Sequence, residues 1–170
     1  MLPKNPTIIL DMDGLLLDTE GIAHPAWVRA CKDFGHELTD EVFNSMVGRK
    51  IDISKGLLLE EFGDDFPIEK AHAKRIEYGN QHIEEHGINL KPGVIELLDC
   101  LVEKSIPYCI ATSTARELAI ERLKIAGIFD RFSLMIAGDE VKNGKPHPEI
   151  FLKAAELLSL IHISEPTRPY

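Results

Sequence analysis

Short apolar runs and longer amphipathic stretches alternate along this chain, and their spacing predicts the element each one forms. Thr7 to Leu10 is a brief, β-branched apolar run that ends on a carboxylate, the pattern of a buried parallel strand. From about Ala23 to Asn89 the pattern turns helical, with breaks at Gly35, Gly48, Gly63 to Pro67 and Gly87 to Pro92. Trp27, Val28, Ala30 and Cys31 share a helical stripe, and Ile53, Leu57, Leu58 and Glu61 form a weaker one. Such stripes predict helix packing, so this region reads as a small helical insertion. Beyond Pro92, helix and strand alternate. Gly93 to Lys104 predicts a helix with Val94, Leu97, Leu98 and Leu101 on one side, and Pro107 to Ala111 a strand. Ala115 to Ala126 follows as a helix carrying Leu118, Ile120, Leu123 and Ile125, then Ser133 to Ala137 as a third strand and Pro148 to Leu157 as a last helix.

This order predicts an α/β fold, a parallel sheet covered by helices. Right-handed crossovers bring all three strand ends to one edge, where open sheets of this kind bind ligands. The pattern changes at the end of the chain. Leu158 to Arg168 read LSLIHISEPTR, which departs from the repeat of Glu149 to Leu157 and matches one unbroken frame of a transposon-type sequencing adapter. Residues 158–170 are therefore expected to be an adapter-derived, non-native tail; an ordinary polar tail is the alternative.

Composition narrows the function classes. The 170 residues, 44% hydrophobic and 28% charged, suit one domain or one domain with an insertion. A net charge of -9 argues against a broad positive surface for nucleic acid, so an anionic substrate needs a local positive pocket. Cys31, Cys100 and Cys109 are odd in number and form no C-x-x-C pair, which suggests neither a disulfide framework nor a zinc knuckle. The apolar run at Thr7 is too short for a signal peptide or a membrane span. A cytoplasmic protein, monomeric and without a nucleic-acid or membrane partner, is the expectation.

The predicted strand ends carry the candidate chemistry. Asp11 and Asp13 fall on one side of the chain if extended geometry continues past Leu10, and Gly14 lets the chain turn away. Two carboxylates so close repel, which implies a hard divalent ion such as Mg2+, an acid/base division of labour, or both; a surface turn is the plain alternative for an isolated D-x-D. Thr112, Ser113 and Thr114 stand between a strand and a helix, where unpaired amides favour an anion and where a hydroxyl also serves as an ordinary helix cap. Lys145, hemmed in by Gly144 and Pro146, offers a point positive charge to a phosphate oxygen.

DMDGLLLDTE at Asp11 to Glu20, ATST at Ala111 to Thr114 and NGKPHPEIF at Asn143 to Phe151, in this order, resemble the haloacid dehalogenase superfamily. The helical insertion after the first motif resembles the β-phosphoglucomutase-like phosphatases and mutases. The resemblance implies a Rossmann-like core of residues 1–20 and 90–157, incomplete at its C-terminus, and a helical cap of residues 21–89 whose closure excludes water and gives specificity. It further implies that Asp11 attacks phosphorus to form an aspartyl-phosphate, while Asp13 protonates the leaving oxygen and later activates water. Mg2+ on Asp11 and the backbone carbonyl of Asp13, with Thr112, Ser113, nearby amides and Lys145, would hold the phosphate. The second carboxylate argues against carbon–halogen cleavage, whose leaving group needs no proton. The family's acidic fourth motif is not found before Leu157, so this chain is expected to bind Mg2+ poorly and to turn over slowly.

A phosphatase of a small phosphorylated sugar, polyol or nucleoside is the first expectation, and a phosphohexomutase the alternative. The mutase's hinge-helix His falls at Ala23, with His24 one place off; its cap Arg falls at Ile51 and its later cap Lys near Ile76, while Arg49 and Lys50 read as solvated cap residues. An inert fragment or a metal-binding module is the remaining alternative, from His72, His82 and His86. His82 and His86 have zinc-compatible spacing, but QHIEEH lacks the Glu of H-E-x-x-H and no thiolate is at hand.

Overall fold

β1 (Ile8–Leu10), β2 (Tyr108–Ala111) and β3 (Met135–Ile136) form one parallel sheet in the order β1-β2-β3. The register pairs Ile9 with Cys109, Leu10 with Ile110 and Ala111 with Ile136. The computed structural model describes residues 6–49 and 51–164, and its chain divides into two units: one from the segments up to Leu17 and from Asn89 onward, the other Asp18–Ile88.

In the sheet unit, α5 (Val94–Glu103), α6 (Arg116–Ile125) and α7 (Glu149–Ser164) alternate with the strands. Side chains of β2 alternate between faces, as strand geometry requires. Cys109 and Ala111 pack with Ile150, Ala154 and Leu158 of α7, and Ile110 on the other face is also fully buried. The stripe Ile150, Ala154, Leu158 recurs every four residues, so α7 keeps its buried face past Leu157, where the sequence pattern was expected to end. The apolar face of α6 differs from expectation as well. Ala119 and Leu123 are buried, whereas Leu118 and Ile125 are 42% and 43% exposed. Leu118 and Leu123 lie roughly 140° apart around a helix, so both cannot face one core.

The second unit holds α1 (Thr19–Asp33), α2 (Asp40–Met46), α3 (Ile51–Phe62) and α4 (Ile68–His86). It begins before the expected residue 21 because Asp18 caps α1, accepting a hydrogen bond from the Gly21 amide. Trp27, Cys31, Leu38, Phe43, Met46, Leu58, Phe66 and Ala71 form its core. Cys31, Cys100 and Cys109 are free thiols, and among the described residues no helix is long and apolar enough to cross a membrane.

Candidate active site

Parallel strands end on the same edge of the sheet, and the segments following β1, β2 and β3 meet there. Asp11 and Asp13 flank Met12, which is fully buried, so alternation turns both carboxylates away from the core. Gly14 adopts φ +76°, a conformation costly for other residues, and its amide bonds the Leu17 carbonyl to close the turn.

Asp11 Oδ1 accepts from the Met12 amide at 2.9 Å and from Lys145 Nζ at 2.7 Å. Its Oδ2 accepts no hydrogen bond among the described residues, and the side chain is 45% exposed. Lys145, only 17% exposed, also donates to the Ala111 carbonyl and lies 5.2 Å from the Phe151 ring centroid. Its loop is tied to the start of α7. The Glu149 carboxylate accepts from the Lys142 and Asn143 amides and from Asn143 Nδ2, and those backbone donors hold its pKa down to about 2. His147 does not reach this site; its Nδ1 accepts from the Glu149 amide.

Asp13 is held by a different set. Its Oδ1 accepts from Arg122 Nη1 at 2.8 Å, and its Oδ2 from Thr114 Oγ1 at 2.7 Å and Thr112 Oγ1 at 3.3 Å. Thr112 is fully buried and also accepts from the Thr114 amide. Ser113 is exposed, with no hydrogen bond from its hydroxyl among the described residues. The helix-cap alternative for these hydroxyls does not hold, since Ala115 occupies the cap position of α6. The Arg116 amide in its first turn is taken by Asp139 Oδ1, so that amide does not face an incoming anion.

The loop after β2 is riveted to β3 and the turn beyond it. The Thr112 amide donates to the Ile136 carbonyl and the Gly138 amide to the Thr114 carbonyl. A Cβ on Gly138 would stand 2.0 Å from the Ser113 carbonyl oxygen. Arg116 adds a further tie, donating to Glu140 and the Met135 carbonyl.

Of the residues singled out in sequence, Asp11 hydrogen-bonds to Lys145 and Asp13 to Thr112, and the Ser113 hydroxyl bonds to none of them among the described residues. Arg122 and Thr114 were missed as partners of Asp13. Arg122 left a signal: it follows Ala119 by three and precedes Leu123 by one, a cation on a helix's buried stripe. The histidine set is not assembled as a ligand cluster. His72 stacks on Trp27, His82 and His86 contact each other ring to ring, and no group of three or more metal-ligating side chains occurs among the described residues.

The chain matches the family described as haloacid dehalogenase-like hydrolase over residues 8–163. It belongs to this family. Within it the chain is a β-phosphoglucomutase-like phosphatase, a phosphoric monoester hydrolase. It is 32% identical over 154 residues to a phosphorylated carbohydrates phosphatase of Thermotoga maritima, covering 91% of this chain and 71% of that protein. Identity to hexitol phosphatase A of Escherichia coli is 31%, over 89% of this chain and 68% of the relative. The crystal structure of a β-phosphoglucomutase from Clostridium difficile superposes with a TM-score of 0.69 at 27% identity, covering 91% of this chain and 71% of that one.

Proposed function

We propose that this haloacid dehalogenase-like hydrolase cleaves the phosphomonoester of a small sugar, polyol or nucleoside through a phosphoryl group carried on Asp11. The observation that carries the reading is the inequality of the two oxygens of Asp11: Oδ1 is fixed by the Met12 amide and Lys145, and Oδ2 is left without a donor among the described residues. A carboxylate oriented by one oxygen and unencumbered at the other is prepared as a nucleophile. Oδ2 attacks phosphorus, the ester P–O bond breaks, and the departing alkoxide takes a proton from Asp13. Water then attacks the same phosphorus, gives its proton to Asp13, and the acyl-phosphate P–O bond breaks to restore the Asp11 carboxylate and release inorganic phosphate. Lys145 offsets charge on the transferring group.

The donor set fits Mg2+. The Asp11 carboxylate keeps one hard oxygen without a hydrogen-bond donor among the described residues, and this ion commonly takes one or two carboxylates, with water and substrate phosphate filling the other positions. Asp11 and the Asp13 backbone carbonyl would hold it. When bound, the ion neutralises charge between nucleophile and phosphate. With so few carboxylates to hold it, weak Mg2+ affinity and slow turnover are expected for these 170 residues.

The test is a screen of phosphomonoesters in Mg2+, with glucose 1,6-bisphosphate added in a parallel arm, and rapid-quench mass spectrometry of the peptide containing Asp11. Sugar or polyol phosphates should release phosphate with transient phosphorylation at Asp11, and Asp11→Asn should lose both. Wild-type kcat in Asp11→Asn would refute the mechanism, and isomerisation dependent on the bisphosphate would replace hydrolysis by the mutase reading. The similarity to phosphatases of phosphorylated carbohydrates and hexitols supports this substrate class.

A further inference from the structure

We propose that Arg122 is a positioning residue, fixing the orientation in which Asp13 delivers its proton; the inference rests on the acid/base role proposed for Asp13. Arg122 projects from the last turn of α6 and its side chain is only 20% exposed. Its Nη1 bonds Asp13 Oδ1 at 2.8 Å, while its Nε is buried without a hydrogen-bond partner among the described residues. That combination is expensive. A guanidinium taken out of water with one donor unsatisfied is poorly compensated by a single ion pair, and an apolar residue on the same stripe as Ala119 and Leu123 would pack at lower cost. The outlay is accounted for by what Arg122 does to Asp13.

Thr114 and Thr112 approach Asp13 at Oδ2, from the loop after β2. Arg122 approaches at Oδ1, from α6. Donors on one oxygen alone leave the carboxylate free to rotate about its Cβ–Cγ bond; a third donor on the other oxygen, from a different element, fixes the plane. A proton donor held in one plane offers its proton along one direction, toward the leaving oxygen.

Leaving groups separate this role from a structural one. An alkoxide needs a proton as it departs and a nitrophenolate does not, and kcat/KM reports the steps up to enzyme phosphorylation, free of the later hydrolysis. In Arg122→Met, kcat/KM for a hexitol or glycerol phosphate should fall about 100-fold, the scale of acid catalysis, while that for p-nitrophenyl phosphate falls by less than about tenfold. Arg122→Lys should recover part of the alkyl-phosphate rate, and it stands in if the Met variant does not fold. Asp13→Asn should show the same selectivity, with no further loss when combined with Arg122→Met. Equal losses on both substrates in the Arg122 variants, or no loss on either, overturn the positioning role alone. A lack of selectivity in Asp13→Asn overturns the acid role and the inference with it.

Discussion

Gly138 is the position where a single methyl group should do most damage to this site. Its Cβ would stand 2.0 Å from the Ser113 carbonyl oxygen, 2.5 Å from the Ser113 carbonyl carbon and 3.1 Å from its Cα. All three atoms are backbone, so no rotamer change relieves the clash. Ordinary contact needs about 3.5 Å, so in Gly138→Ala the two loops must part by roughly 1.5 Å. The bond from the Gly138 amide to the Thr114 carbonyl, 2.9 Å long, would be lost, at about 1 kcal/mol. Overpacking adds about 1–3 kcal/mol. The sum of about 2–4 kcal/mol corresponds to a fall in Tm of roughly 5–15 °C for a chain of this size. The displaced segment carries Thr112 and Thr114, which hold Asp13, so kcat should fall about 100-fold even where the protein stays folded, the scale expected for a misplacement of about 1 Å. Differential scanning calorimetry and steady-state kinetics measure both. A Gly138→Ala protein with unchanged Tm and kcat would show that the close approach of these loops is not what holds Asp13 in place.

Gly56 is the contrasting case, since its Cβ would meet nothing within 4 Å inside α3; Gly56→Ala should therefore raise stability by about 0.5–1 kcal/mol with no change in rate, and a lower Tm would contradict this. Glu149 has a folded pKa of about 2 against an ordinary 4.5, so its stabilising effect is complete above about pH 4.5 and is lost as pH falls toward 2. The Tm gap between wild type and Glu149→Gln should accordingly be level above pH 5 and close on acidification; a gap that widens in acid would reverse the sign of the argument. Burial pushes the Cys31 and Cys109 thiols up to about 11, so at pH 8 a thiol reagent should label Cys100 quickly and the other two only after denaturation, as peptide mapping would reveal. Binding of inorganic phosphate, followed by calorimetry, should strengthen at least tenfold on adding Mg2+, and equal binding in EDTA would argue against the metal site.

The parts of the fold that could be read in the sequence were those whose information is local. The TIIL run before Asp11, the glycine breaks at 35, 48, 63 and 87, and the apolar run to Ala111 each encode their element within a few residues, and the strands and helices appear there. Partner choice was much harder to read, because it depends on contacts far apart in sequence. Nothing near Asp13 announces Arg122, which lies 109 residues away, and only the cation on the stripe of Ala119 and Leu123 hints at it. Thr112 was singled out for phosphate, yet its buried hydroxyl is turned to Asp13 and to the Thr114 amide. The competition was invisible in sequence because a hydroxyl serves an anion, a carboxylate or an amide equally well.

The repulsion between Asp11 and Asp13 that the sequence implies is relieved here by two cations, one per carboxylate: Lys145 on Asp11 and Arg122 on Asp13. Each cation is largely buried, and with both carboxylates ionised each neutralises its partner, so the four side chains carry no net charge to attract a phosphate dianion; the proton that Asp13 delivers as an acid adds one positive charge. The chain as a whole, at -9, offers no help from its wider field. A dianion entering such a site leaves a charge of minus two uncompensated in a region of reduced dielectric, or of minus one once Asp13 is protonated, and a divalent cation would offset it without displacing either ion pair. On the proposed mechanism Oδ2 of Asp11, which accepts no hydrogen bond among the described residues, attacks phosphorus, whereas Asp13, oriented through both of its oxygens, handles the proton. On that reading the two ion pairs assign separate tasks to two chemically identical residues.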